Sequence, residues 1–288
     1  MAEISAAMVM KLRKMTGQGM MNCKSALQQA NGDISEAVNI LRKKGLATLA
    51  KRAERETSEG TIVAVKGDNW ASLAVLRCET DFVAKSDDFI RLVEAIKKGV
   101  QQCDTDEDGD RLLETAVDGR RLSDMLSEVA GKTGERIQLV KEEYVRYHLD
   151  GPGLIRTYIH FNEKVGTMVE IETSDEAMAQ TDVLEQTACD VAMHITAIKP
   201  LALDKDQIDS ETIEREKAIF AEQVKDKPPN IIDKIIQGKM NKFFAENCLL
   251  AQPFVKDDSK SVAQVLSEAA KQAGGEAKIK RFVRFEVG

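Results

Sequence analysis

Apolar positions near the start of the chain recur at helical spacing. Ile4, Met8, Val9, Leu12 and Met15 fall on one face of a 3.6-residue repeat. Thr16-Gly17-Gln18-Gly19 interrupts the pattern, and Met20 to Ala30 resumes it. Asn31-Gly32 reads as a turn. Asp33 then caps a third helix, with Glu36 completing a capping box. Ala37, Val38, Ile40 and Leu41 form its inward face, and Gly45 is placed to stop it. So small a unit makes a marginal core by itself and is expected to lean on the rest of the protein. From Lys51 to Glu59 the chain is charged, has no apolar face and reads as a linker.

Beyond the linker the pattern occurs twice. Thr61 to Val65 is a strand, Gly67-Asp68-Asn69 a turn, Ala71 to Cys78 a second strand, and Glu79-Thr80 leads into a helix ending near Ile96. Ile155 to Phe161, Asn162-Glu163-Lys164, Thr167 to Ile171 and Glu172-Thr173 repeat that order before a helix running to His194. Leu126-Ser127-Glu128 recurs as Leu266-Ser267-Glu268, 140 positions on, and Tyr144-Val145-Arg146-Tyr147 as Phe282-Val283-Arg284-Phe285, 138 positions on. Each copy therefore holds two strands, helices and a third strand. Antiparallel sheets with helices on one face are expected, each leaving its other face open. The second copy carries an insertion from about 204 to 247. In it Pro228-Pro229 separates two apolar-periodic helices, and the second arm has more apolar residues than a hairpin can bury.

The expected fold class is α+β: a helical module and linker over 1–55, a core subdomain over 56–150, and a second over 151–288 bearing the hairpin. A net charge of −7 argues against nucleic acid as the main partner, because phosphate contacts need an excess of Lys and Arg. The five cysteines are scattered, odd in number and without a CxxC pair, which fits reduced thiols in a cytosol. No apolar run is long enough to span a membrane. The opening Met1-Ala2-Glu3 is neither a signal nor a transit peptide, so bacterial cytoplasm is the expected location.

Chemistry-bearing motifs are scarce. Asp104-Thr105-Asp106-Glu107-Asp108-Gly109-Asp110 begins like a calcium loop, but position twelve is Thr115 rather than a bidentate Glu. A calcium site and a solvated acidic loop are the two readings, and the missing Glu favours the second. His148, His160 and His194 lie too far apart in sequence for a helical metal pair. His194 reads as a core or capping histidine, whereas His160 ends a strand at a turn. There is no phosphate loop, no dinucleotide fingerprint and no nucleophile with its base, so neither an enzyme nor a cofactor is expected. Glu79-Thr80-Asp81-Phe82-Val83-Ala84-Lys85 differs from the second copy, which reads Glu172-Thr173-Ser174-Asp175-Glu176-Ala177. The aromatic at this junction occurs in one copy only. It is either a core residue or an exposed anchor beside a carboxylate, the latter typical of a protein-interface hot spot.

Thr80-Asp81-Phe82-Val83-Ala84-Lys85, the stretch from Leu12 to Leu27, and the ending Phe282-Val283-Arg284-Phe285-Glu286-Val287-Gly288 together resemble the elongation factor Ts family across the whole chain. The resemblance implies a ubiquitin-associated-like first module and guanine-nucleotide exchange on elongation factor Tu. It implies that Asp81 and Phe82 push into the nucleotide domain of Tu near its magnesium, that Arg13, Met20, Met21 and Lys24 touch the same domain, and that His160 touches Tu elsewhere. Phe161-Asn162-Glu163 departs from the family's glycine-containing turn after that histidine. The hairpin is implied in a homodimer, a two-plus-two complex or partner contact. The rival class is an adaptor that binds peptides through its first three helices.

Overall fold

The computed structural model describes residues 4–16, 18–52, 54–103 and 109–288. The readings placed on Met1-Ala2-Glu3, on Gly17 and on the acidic stretch 104–108 lie outside these residues.

Three helices open the chain: α1 (Ala6–Thr16), α2 (Met20–Gln29) and α3 (Ile34–Lys51). Val9, Leu12, Cys23, Leu27, Ala37 and Leu41 form their small shared core. Met15, expected inside, is exposed. Asp33 caps α3, its Oδ1 accepting from the Glu36 amide at 2.9 Å. Gly45 does not stop the helix, which runs on to Lys51. Its role is tertiary.

The strands β1 (Glu59–Lys66) and β2 (Trp70–Cys78) form an antiparallel hairpin. They are followed by the short α4 (Asp81–Ala84), α5 (Asp87–Gln102) and α6 (Gly109–Glu114), the last of which begins within the stretch compared with a calcium loop. A two-residue pair, β3 (Ala116–Val117) and β4 (Arg120–Arg121), precedes α7 (Leu122–Thr133). Next, β5 (Ile137–His148) joins β2 to give the sheet order β1-β2-β5.

The remaining chain forms β6 (Gly153–Ile159), β7 (Val165–Thr173), α8 (Glu176–Ala179) and α9 (Asp182–Ile198). Two long helices, α10 (Ser210–Gln223) and α11 (Pro229–Asn247), then pack on each other. After β8 (Pro253–Phe254), β9 (Asp257–Ser261) and α12 (Val262–Gln272), β10 (Ala277–Glu286) pairs with β7 in the order β6-β7-β10. No described helix is long and apolar enough to cross a membrane.

Neither sheet has the open face expected of it. One face of β1-β2-β5 packs on α5, α6 and α7 through Leu76, Phe89, Ile96, Leu112, Leu126 and Ile137. One face of β6-β7-β10 packs on α9 and α12 through Ile171, Leu184, Val191, Leu266 and Ile279. The opposite faces meet each other, joining Ile62, Leu73, Val75, Val145, Ile155 and Met168 in a further core. The order is helices, sheet, sheet, helices, and Tyr144, Val145, Arg146 and Tyr147 are all buried. Arg146, the one charged residue of that string, is buried because its guanidinium finds partners inside. Arg146 Nε donates to Ser72 Oγ at 3.0 Å, and its two terminal nitrogens donate to the Val100 and Cys103 carbonyls at the C-terminus of α5. It also stacks on Trp70 at 3.9 Å. Arg284 donates likewise to the Thr196 carbonyl in the last turn of α9, at 3.3 Å. The Tyr-Val-Arg-Tyr and Phe-Val-Arg-Phe strings therefore serve packing: each Arg ties a strand to the end of a helix.

The helical module docks on the first half of the core where α3 crosses α7. A Cβ on Gly45 would stand 2.3 Å from the Ser127 carbonyl oxygen, and one on Gly131 would stand 3.1 Å from the Gly45 Cα. Glycine is needed here because the two backbones nearly touch. Arg42 pairs with Asp124 beside the crossing, and Gln18 Nε2 donates to the Glu128 carbonyl at 3.4 Å. Gly45→Ala is expected to push α3 off α7 and to cost about 1–3 kcal/mol, the range for overpacking. Faster proteolysis in the 52–58 connection and a lower unfolding midpoint would show it. Unchanged values would mean the helices separate freely.

Candidate partner-binding site

The predicted contact residues are placed by several separate pieces of local structure. Thr80 is the N-cap of α4: its Oγ accepts from the Val83 amide at 3.3 Å. Val83 is buried against the core, and Ser86 caps the next helix by accepting from the Phe89 amide at 3.3 Å. Between these two caps α4 is a single turn. Phe82 projects from that turn with 83% of its surface exposed. Of the two readings of Phe82, core residue or exposed anchor, its exposure excludes the first. The cause is local, since a one-turn helix buries only the side facing β1 and β2.

Asp81 stands beside it and pairs with Lys85 one turn on, Oδ2 to Nζ at 2.9 Å. That hydrogen bond, aided by the Lys85 charge, lowers the Asp81 pKa, so Asp81 is negative at neutral pH. Both groups are well exposed, and such a pair contributes little to stability.

The turn is anchored from below. The Glu135 carboxylate accepts from Thr80 Oγ at 2.7 Å and from the Thr80 amide at 3.1 Å. Glu79 Oε1 accepts from the Arg136 amide at 2.6 Å and from Arg52 at 2.9 Å, while Oε2 accepts from Arg55 at 2.9 Å. Burial pushes the Glu79 pKa up, but the Arg136 amide and the Arg55 and Arg52 guanidiniums outweigh it and hold the value near 2. Beneath them Cys78 is buried and donates to the Thr80 carbonyl at 3.2 Å. Burial, with the nearby Glu135 and Glu59, pushes its thiol up to about 12, so Cys78 packs and does not react.

Glu79 gives a pH prediction. Its folded pKa lies below the ordinary 4.5, so its stabilisation is complete above that value and fades as the pH falls toward about 2. Glu79→Gln should cost about 2–3 kcal/mol near neutral pH, the scale of charged hydrogen bonds. In urea titrations the gap between wild type and variant should narrow as the pH falls below the ordinary carboxylate value. A gap independent of pH would show that the carboxylate charge is not what holds the linker.

The other predicted residues lie elsewhere on the surface. Met20 and Met21 start α2, and Met21 is 74% exposed; Lys24 is one turn on and Arg13 lies in the last turn of α1, both exposed. His160 follows β6 and is half-buried, its Nδ1 3.3 Å from the Tyr158 hydroxyl and its ring 4.4 Å from Phe161. Phe161 is 88% exposed, an aromatic that reading the sequence passed over as a mere change of turn residue. Glu163 adopts φ +58° there, doing without the glycine such a conformation favours. Its carbonyl accepts from the Ile62 amide at 2.9 Å, which ties the turn to β1. His194, by contrast, is fully buried. Its Nδ1 accepts from the Val255 amide at 3.1 Å and its Nε2 meets Gln252 Oε1 at 2.9 Å, and burial lowers its pKa. It is a core histidine.

These exposed groups do not converge on a cavity. A cleft of about 480 Å³ between the two halves, lined by Lys66, Asn69, Trp70, Gly153 and Arg156, contains none of them. No cluster of His, Cys, Asp and Glu suited to a metal ion occurs among the described residues. Convex, apolar and methionine-bearing features of this kind suit a protein surface better than a small substrate.

Residues 79–288 match the family model for elongation factor Ts. The chain belongs to the elongation factor Ts family. Among curated relatives, elongation factor Ts of Nitratiruptor sp. is 45% identical over 99% of this chain and 93% of its own length. That of Alkalilimnicola ehrlichii is 40% identical over 99% and 92%, and that of Chlorobium phaeobacteroides 39% over the full length of both. As an elongation factor Ts family member, the chain is a translation protein, and the matched region begins at Glu79, the residue that anchors the exposed turn.

Proposed function

We propose that this chain is the guanine-nucleotide exchange factor for elongation factor Tu, acting by protein binding alone and without a cofactor of its own. The observation that carries this reading is Phe82, an almost fully exposed aromatic on a turn clamped at both ends, within the family's signature. An exchange factor accelerates release only by binding the nucleotide-free state better than the nucleotide-bound state, and GDP must weaken its binding in return. Phe82 enters between helices of the nucleotide domain of Tu and shifts its magnesium- and phosphate-holding region, and Asp81 brings negative charge to the same place. Met20, Met21, Arg13 and Lys24 hold that domain from the module, the methionines as adaptable apolar contacts. His160 touches Tu at a second point, with Phe161 beside it.

The same reading divides the chain into a ubiquitin-associated-like module and linker over 1–55, a core half over 56–150 and a related half over 151–288, with the hairpin insertion at about 204–247. Two observations support the kinship of the halves: their sheets share one strand order, and Arg146 and Arg284 make the same tie to a helix end. Ile219 and Ile231 are exposed on the hairpin, which supports its use in a homodimer, a two-plus-two complex with Tu or another partner contact. The bacterial relatives support a bacterial cytoplasm as location. Stopped-flow release of fluorescent GDP from Tu tests the function. Acceleration by substoichiometric amounts of this chain is the expected result, and none at all would overturn it.

A further inference from the structure

Phe82 protrudes from a four-residue helix, too short to hold its own direction. Two carboxylates lie at its base, Glu135 bonded to Thr80 and Glu79 to Arg136, and the second half of the chain serves as an internal control. There Asp175 caps α8 as Thr80 caps α4, accepting from the Met178 amide at 2.9 Å. This cap-to-cap match sets Thr80 against Asp175, and so corrects the pairing of Glu79-Thr80 with Glu172-Thr173 by two positions. It places Ala177 opposite Phe82 and Ser174 opposite Glu79. Both halves also turn into their last strand through a left-handed glycine, Gly134 at φ +70° and Gly274 at φ +92°. The next residue is Glu135 in one half and Gly275 in the other. The one after is Arg136 or Glu276, whose amide donates to Glu79 Oε1 or to Ser174 Oγ respectively. At Gly275 a Cβ would stand 2.2 Å from Ser174 Oγ, so a side chain there would have to displace the hydroxyl that accepts from the Glu276 amide. The half with the protruding aromatic therefore carries two carboxylates where the half with alanine carries serine and glycine.

We infer that Glu135 is a positioning residue for nucleotide exchange: by holding the Thr80 amide and hydroxyl together it fixes the direction in which Phe82 meets the partner. This rests on Phe82 being the wedge. A preset aromatic loses less conformational freedom on docking, so its contact energy goes into displacing the nucleotide-holding region. Thr80 joins the two functions, because the hydroxyl that donates to Glu135 also accepts from the Val83 amide inside α4.

The test is GDP release from Tu catalysed by the full-length protein, with each substitution made in the wild-type and in the Phe82→Ala background. Glu135→Gln keeps the size of the side chain and removes its charge and second acceptor. It should slow catalysed release about tenfold in the first background and less than about twofold in the second, because it acts through Phe82. Thr80→Val should behave as Glu135→Gln does, and Thr80→Ser should keep the wild-type rate by retaining the hydroxyl. Equal loss in both backgrounds, or a lowered unfolding midpoint that accounts for the loss, would make Glu135 merely structural. No loss from Glu135→Gln while Phe82→Ala is impaired would overturn the positioning role and leave the wedge standing. A Phe82→Ala protein with unimpaired exchange would overturn both.

Discussion

Phe82→Ala is expected to slow catalysed GDP release from elongation factor Tu by roughly 30-fold, the loss of an interface anchor worth about 2 kcal/mol. The same substitution should leave the unfolding midpoint where it is, because a side chain 83% exposed contributes almost no burial to folding. This separation makes the test decisive. Most aromatic truncations lower both activity and stability, since most aromatics are core. Here the turn below is held by Thr80, Glu135 and Ser86, none of which touches the ring through a hydrogen bond, so α4 persists without it. Circular dichroism melts beside stopped-flow traces would check both halves. Loss of stability in step with rate would mean that the ring packs against the core in solution. An unchanged rate would remove Phe82 from the mechanism.

Arg146→Met should be the most destabilising change, at about 3–5 kcal/mol, the cost of removing one partner from a buried charged network. Arg146 is 3% exposed, and its fork is shared between Ser72 and the last carbonyls of α5. Methionine fills much of the space but leaves the Val100 and Cys103 carbonyls short of donors at the negative end of the helix. The related Arg284 provides the control. It is half-buried, with one 3.3 Å bond to the Thr196 carbonyl and a partner in the more exposed Glu286 at 2.9 Å, so Arg284→Met should cost less, about 1–2 kcal/mol. Urea denaturation of the two variants would compare them directly. Similar costs for both would mean that burial of the Arg146 fork is not what matters, and a cost under about 1 kcal/mol for Arg146→Met would remove the network from the account of stability. Since α5 follows directly on the α4 turn, a loosened α5 should also blunt exchange at temperatures near the variant's midpoint.

The amino-acid sequence by itself determined the mixed helical and strand character, the order of the elements and the family. Strand alternation, helical spacing and caps such as Asp33 are local, and the motifs around Phe82 are contiguous, so a linear reading reaches them. It also singled out Phe82 as unlike its counterpart, though it could not say whether the ring was inside or outside. Only the tertiary structure decided that. A phenylalanine is buried or exposed according to what the fold lays over it, and on the one-turn α4 Phe82 stays exposed. The same limit explains the errors. Gly45 reads as a helix stop because a glycine tolerates the left-handed turn, but its missing Cβ is needed for the close passage of α7, more than 80 residues away. The open sheet face expected from the strand pattern is covered by a second sheet, and Arg146, of a residue type seldom buried, lies inside because the end of α5 receives its charge. Glu135 lies 55 residues from Thr80 and belongs to no motif. Local propensity and periodicity act over a few residues, so the chain can state them outright, whereas contact between distant segments depends on how the two sheets and their helices close around each other.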